Sequence, residues 1–217
     1  MFKVAIFDLD GTLLNTLDDL ANACNYALNK FSFPTHKVEK YKKFIGNGIY
    51  KLIERALPDD KKDKETIKKV LEVFSDYYNE HMMDMTKPYD GIISLLDELR
   101  IKGIRLAVVS NKKHEFTVEI VKKYFDDRFD IVFGHRDSYK EKPDPTSVLE
   151  VIDKFNILKS ECIYIGDSNV DIITAKNAEV KCIGVTWGFR DNDELAEEGA
   201  NYLANNIVEL KNIIISN

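Results

Sequence analysis

The chain has 217 residues, enough for one well-buried core and a small accessory domain, and its 44% hydrophobic and 31% charged content is that of a globular rather than a disordered protein. A net charge of −6 argues against a nucleic-acid partner, and no apolar run approaches the roughly 20 residues that would span a membrane. Asp8 and Asp10 interrupt the only apolar stretch near the start, which therefore does not read as a secretory signal. Cys24, Cys162 and Cys182, widely spaced and without a Cys-x-x-Cys pair, read as buried thiols of a reduced, cytoplasmic protein.

Val4-Ala5-Ile6-Phe7 is a continuous apolar run, the signature of a strand buried on both faces of a parallel sheet. It stops at Asp8-Leu9-Asp10-Gly11. Residues i and i+2 of a strand share a face, so Asp8 and Asp10 can converge where the strand gives way to a loop. Carboxylates that close need a cation between them or a shared proton.

Helical periodicity follows for about seventy residues. Leu20, Ala23, Cys24, Ala27, Leu28 and Phe31 make one face of a helix over 17–31. Ser32-Phe33-Pro34-Thr35 breaks it. A second helix is predicted over 38–45 up to Gly46-Asn47-Gly48, a third over 49–57 up to Pro58, and a long fourth over 66–82. From Lys87-Pro88 onward helices and strands alternate. Strands are predicted over 104–109, 131–133, 162–165 and 181–185, and helices over 92–102, 115–125, 146–155 and 170–177. The tail from Asn192 adds a helix, a short strand and a last helix. This grammar predicts an α/β protein: a Rossmann-like parallel sheet with helices on both faces, formed by residues 1–15 and 86–217, into which residues 16–85 insert a small α-helical cap domain.

In such sheets ligands lie beyond the carboxyl ends of the strands. Asp8 and Asp10, Ser110-Asn111, Asp167 and Thr186 all follow predicted strands and so belong on one rim, with the helical insertion placed above it. Asp8, Asp10 and Asp167 are hard oxygen ligands, suited to magnesium, which usually completes its shell with a phosphate. Asp8 does not open a calcium loop of the EF-hand kind, because that loop needs glycine and glutamate where Leu13 and Asp19 stand. Ser110 and Asn111 offer donors near a helix start, and Lys142, stiffened by Pro143-Asp144-Pro145, adds a positive charge. A metal, a cation and neutral donors around one carboxylate are the equipment of phosphoryl transfer.

The order Asp8-Leu9-Asp10-Gly11-Thr12, Val109-Ser110-Asn111, Lys142-Pro143 and Gly166-Asp167-Ser168 with Asp171 resembles the four motifs of the haloacid dehalogenase superfamily, over the full chain and with a cap inserted after the first motif. Phe44-Ile45-Gly46-Asn47-Gly48 with the following Leu52–Leu57, and Gly184-Val185-Thr186-Trp187-Gly188-Phe189-Arg190, are similar to the phosphoglycolate phosphatase group. The resemblance implies that Asp8 is a nucleophile forming a phospho-aspartate and that Asp10 is the acid/base group. It implies Mg2+ held by Asp8, Asp167 and the backbone carbonyl of Asp10. Thr12, Ser110, Asn111 and Lys142 would then grip the phosphoryl group or hold Asp8, with Gly11 beside them, and Asp171 would orient Lys142 or a metal-bound water. The second aspartate, Asp10, separates the chain from the dehalogenating branch.

Lys112 is a further candidate for an anionic substrate, as are Gly46, Asn47 and Gly48 if their N–H groups meet its distal end. His114 and Arg190 lie near the same rim. The implied function is a Mg2+-dependent phosphatase of a small phosphorylated metabolite, phosphoglycolate first, with pyrophosphate, a nucleotide or a sugar phosphate as alternatives. A phosphosugar mutase of the β-phosphoglucomutase type is the rival activity, but the bulkier residue usual at Thr12 and the arginine usual near the cap glycines are missing. A non-catalytic descendant would show a broken motif, and all four are intact. The sequence carries no signal of oligomeric state.

Overall fold

The computed structural model describes residues 2–137 and 139–216; Met1, Ser138 and Asn217 lie outside the described residues. The chain divides into two compact units, Met1–Leu14 with Pro88–Asn217, and Asn15–Lys87.

The first unit is built on a six-stranded parallel sheet: β1 (Val4–Phe7), β4 (Arg105–Lys113), β5 (Ile131–His135), β6 (Cys162–Gly166), β7 (Lys181–Val185) and β8 (Tyr202–Ala204), in the order β5-β4-β1-β6-β7-β8. All four residues of β1 are fully buried, as their unbroken apolar run requires of a central strand. The chain builds outward from β1 to β4 and β5, then returns to its other side for β6, β7 and β8. β1 therefore ends at the point where the strand order reverses, which in such sheets is where ligands bind.

Alternate residues face opposite layers. Val4, Ile6, Ala107, Val109, Cys162 and Tyr164 pack on Val148, Val151 and Ile152 of α6 (Thr146–Phe155) and on Ile172, Ala175 and Ala178 of α7 (Asn169–Ala178). On the other face Phe7 meets Phe129 edge-on at 6.2 Å, and Phe129 meets Phe125 of α5 (His114–Phe125) at 5.6 Å. Helices α4 (Ile92–Ile101), α8 (Asn192–Glu197) and α9 (Ile207–Ser216) complete this unit.

The second unit contains α1 (Leu17–Lys30), α2 (Gly48–Ala56) and α3 (Lys64–His81). Their buried stripes include Leu20, Ala23, Cys24, Ala27 and Leu28 on α1 and Ile67, Val70, Phe74 and Tyr78 on α3, the spacing read from the sequence. The predicted helix over 38–45 is instead a short 3-10 helix, Val38–Lys43, whose one buried residue is Tyr41. A single apolar anchor is too little to sustain a longer helix before the glycines. Asp19 of α1 accepts the N–H groups of Met85 and Thr86 at 2.8–3.1 Å, fixing the end of this unit.

Two short strands absent from the sequence reading, β2 (Leu14–Asn15) and β3 (Lys87–Pro88), pair where the chain passes between the units. No helix among the described residues is long and apolar enough to cross a membrane. All three cysteines are free and buried.

Candidate active site

β1 stops at Phe7. The Leu9 carbonyl then accepts the N–H groups of Thr12, Leu13 and Leu14 at 3.3, 3.0 and 3.0 Å, while Leu9, Leu13 and Leu14 are fully buried. The turn is anchored by its leucines and leaves its polar side chains facing the rim. Asp8 still belongs to the sheet, its N–H donating to the Ile165 carbonyl at 2.9 Å, but Asp10 belongs to the turn. Strand alternation therefore does not govern the pair. Asp8 Oδ1 lies 2.9 Å from Lys142 Nζ, whereas Asp10 faces Lys112 Nζ at 3.1 and 3.4 Å.

The carboxylates that crowd Asp8 are those of Asp167, after β6, and Asp171, in the first turn of α7; one oxygen of each lies within 4.8 Å of the others. Ser168 caps α7, and its hydroxyl and N–H both donate to Asp171 Oδ2, at 2.6 and 3.1 Å. Asp171 Oδ1 receives Lys142 Nζ at 2.7 Å. Burial raises the Asp8 carboxyl to about 7, with repulsion from Asp171 adding to this and Lys142 opposing it. Burial, then Asp171 and Asp8, push Asp167 well above the usual carboxylate range. Burial alone would lower the Lys142 ammonium, but the charges of Asp171 and Asp8 hold it well above its ordinary value.

Asp167 sits in a fitted cradle. Its Oδ1 accepts the Thr12 hydroxyl at 3.0 Å and its Oδ2 the Phe189 N–H at 2.8 Å. Gly11 and Gly188 close on it from two sides. A Cβ at Gly11, which also has φ +87°, would stand 2.3 Å from Asp167 Oδ2; one at Gly188 would stand 2.4 Å from the same oxygen and from the Gly11 carbonyl. The Trp187 indole N–H donates to the Thr12 carbonyl at 3.1 Å, so the loop after β7 straps the turn after β1.

The predicted strand over 104–109 runs on through Ser110 to Lys113, with a register shift between Val109 and Lys113. Within this irregularity the Lys112 N–H donates to Ser110 Oγ at 3.1 Å, and both side chains are buried. Asn111, expected among the phosphoryl donors, has its carboxamide engaged elsewhere. Its Oδ1 accepts the Lys142 N–H at 2.7 Å and its Nδ2 donates to the Lys142 carbonyl at 3.1 Å, because the loop carrying Lys142 passes beside β4.

His114 Nδ1 accepts the Gly134 N–H at 3.2 Å, and Arg190 reaches Glu194 at 3.7 Å. Gly46, Asn47 and Gly48 belong to the second unit, where Arg55 donates to Asn47 Oδ1 at 2.7 Å and to the Phe44 carbonyl at 3.0 Å just before α2. The sequence reading missed Tyr164, whose hydroxyl accepts from Lys142 Nζ at 3.0 Å, and the bonds made by Trp187 and Phe189. The one signal for Tyr164 was a hydroxyl inside an otherwise apolar strand.

The donor set suits a hard divalent cation. Asp8, Asp10, Asp167 and Asp171 face two ammonium groups, Lys142 and Lys112, which leaves two negative charges uncompensated if all four are ionised. Oxygen-only ligands with no sulfur or imidazole among them favour magnesium-like ions.

Residues 5–185 match the profile of the haloacid dehalogenase-like hydrolases. The chain is 31% identical to a phosphoglycolate phosphatase of Vibrio parahaemolyticus, over 98% of this chain and 96% of that one. It is 33% identical to a phosphoglycolate phosphatase of Haemophilus influenzae, over 98% of each. It superimposes with a TM-score of 0.95 and 34% identity on the crystal structure of a provisionally assigned phosphoglycolate phosphatase from Lactobacillus delbrueckii, over 100% of this chain and 99% of that one.

Proposed function

Because the chain belongs to the haloacid dehalogenase-like hydrolases and is a phosphoric monoester hydrolase, we propose that it cleaves a small phosphate monoester through a phospho-aspartate on Asp8, with Mg2+ as cofactor and 2-phosphoglycolate as the leading substrate. The observation that carries this reading is the buried Asp8 carboxylate, held by Lys142 beside Asp167 and Asp171 at the end of the central strand.

Asp8, Asp167 and the Asp10 carbonyl are the proposed metal ligands, with Asp171 close by. The cation would offset their repulsion, keep Asp8 ionised and polarise a phosphoryl oxygen. Asp8 attacks phosphorus and the ester oxygen leaves with a proton from Asp10. Asp10 then takes a proton from the water that attacks the phospho-aspartate, releasing phosphate and restoring Asp8. Lys142 balances the charge of Asp8 throughout. The Ser110 hydroxyl, whose oxygen accepts from Lys112 while its proton can still be given, serves the phosphoryl group, and Lys112 meets negative charge on the substrate. Thr12, Gly11 and Asn111 act by shaping the cradle and the lysine loop rather than by gripping phosphate. The free, buried thiols fit a reducing, cytoplasmic setting.

Phosphate release from a panel containing 2-phosphoglycolate, pyrophosphate, nucleoside monophosphates and sugar phosphates tests this. Metal-dependent release, highest for 2-phosphoglycolate and abolished in Asp8→Asn, is the expected result. Release that survives Asp8→Asn would remove the phospho-aspartate route.

A further inference from the structure

Tyr164 stands in the middle of β6, whose neighbours Cys162, Ile163 and Ile165 are apolar and fully buried. A phenol in such surroundings needs hydrogen-bond partners. Its ring lies on the core face formed with Val4, Ile6 and Val109, and its hydroxyl reaches the rim. There the oxygen accepts from Lys142 Nζ at 3.0 Å, and its proton has two acceptors in reach, the Val109 carbonyl at 3.1 Å and Asp171 Oδ1 at 3.3 Å. Because β1 lies between β4 and β6, this one hydroxyl links the two strands that flank the strand carrying Asp8. Burial keeps the phenol protonated, so it can donate and accept together.

The lysine side of the contact is equally specific. An ammonium group has three N–H donors, and Lys142 Nζ has three acceptors: Asp8 Oδ1 at 2.9 Å, Asp171 Oδ1 at 2.7 Å and Tyr164 Oη at 3.0 Å. A lysine is otherwise a point charge on a flexible stem. Two carboxylates supply attraction without fixing direction; the neutral hydroxyl, tied to a backbone carbonyl, supplies the third point that fixes the ammonium.

We propose that Tyr164 is a positioning residue for the reaction: its hydroxyl holds the Lys142 ammonium on Asp8, so that the lysine steadies the nucleophile and does not follow the phosphoryl group. This rests on Asp8 being the nucleophile of the phosphatase described above. Tyr164 touches no substrate in this scheme, so its loss acts on turnover and leaves substrate binding alone.

The test compares wild type, Tyr164→Phe and Tyr164→Leu for kcat and KM on the best substrate of the panel, each at a temperature well below its own Tm. Tyr164→Phe keeps the ring and removes only the hydroxyl. Its kcat should fall about ten-fold or more, in the range seen when a group supporting an active-site ligand is removed, with KM within about two-fold of wild type. Tyr164→Leu should show the same kcat loss with a larger drop in Tm, because it also empties the ring's place in the core. A Phe variant with wild-type kcat overturns the proposal, whether or not Leu is impaired. So does a Phe variant whose loss appears mainly in KM, or only in proportion to a lowered Tm. An inactive wild type would instead count against the phosphatase reading itself.

Discussion

Lys112 Nζ lies 3.1 Å from Asp10 Oδ1, a partly buried ion pair between residues 102 positions apart in the chain. It gives the second aspartate its own cation, separate from the Lys142 that serves Asp8. Removing one partner of a buried pair leaves the other charge uncompensated, which costs more than the pair itself contributes. Lys112→Met is therefore expected to lower stability by about 1–3 kcal/mol, the desolvation penalty of an unpaired buried group. Its kcat/KM should fall about 10–100-fold. Denaturant unfolding and steady-state phosphate release check both; Lys112→Arg should recover much of the stability.

Asp8→Asn removes the proposed nucleophile and, equally, one of three crowded buried carboxylates. Turnover should disappear. At pH 8 without divalent cations the variant should nevertheless be more stable than wild type, by on the order of 5 °C in Tm, because the like-charge repulsion and burial that raise Asp8 to about 7 no longer act. A Tm below that of wild type under these conditions would contradict this account of the cluster.

The same shift sets a pH dependence. Folded Asp8 holds its proton up to about 7, whereas an unfolded aspartate releases it near pH 4. Between those values the folded state binds more protons, so this group's contribution to stability falls as pH rises and is fully lost above about 7. Asp167 is shifted in the same direction. The Tm difference between wild type and Asp8→Asn in a chelating buffer should therefore widen, against wild type, from pH 5 to pH 8. Added Mg2+ should raise the wild-type Tm at pH 8 and have little effect at pH 5, where the ligands carry protons.

Gly188→Ala tests the cradle of Asp167. The added Cβ would stand 2.4 Å from an Asp167 oxygen and from the Gly11 carbonyl, so either the aspartate or the turn after β1 must move. The expected outcome is a loss of about 10–100-fold in metal affinity or activity, as for other supports of metal ligands. A titration of activity against Mg2+ concentration measures it. An unchanged Mg2+ requirement would mean that Asp167 tolerates displacement.

Two bonds from Asn111 to the Lys142 backbone give a fifth expectation. Asn111→Leu should depress kcat by shifting the lysine loop and lower stability by about 1–3 kcal/mol through the unpaired amide and carbonyl groups. KM should change little, since the carboxamide is turned to the loop. A selective rise in KM would restore Asn111 to the phosphate-binding set.

Much of this protein was legible in its sequence because buried parallel strands are written as short, mostly apolar runs: Val4–Phe7, Cys162–Ile165 and Lys181–Val185 match their strands to within a residue, and the run over 104–109 begins within a residue of β4. The polar residues ending those runs had to share a rim, since every strand of a parallel sheet points the same way. Local patterning also placed the helical stripes of α1 and α3. It could not tell that residues 38–43 would form only a 3-10 helix, or that β4 would continue past Ser110, because neither depends on periodicity.

Partner choice among the polar residues was settled by tertiary structure alone. Thr12 meets Asp167 across 155 residues, the Asp10 carboxylate meets Lys112 while Asp8, Asp167 and Asp171 gather together, and a core tyrosine completes the shell of Lys142. These pairings depend on where each strand stops and how far each side chain reaches. Hydrogen bonds distinguish partners by tenths of an ångström, and only the packed sheet sets such distances.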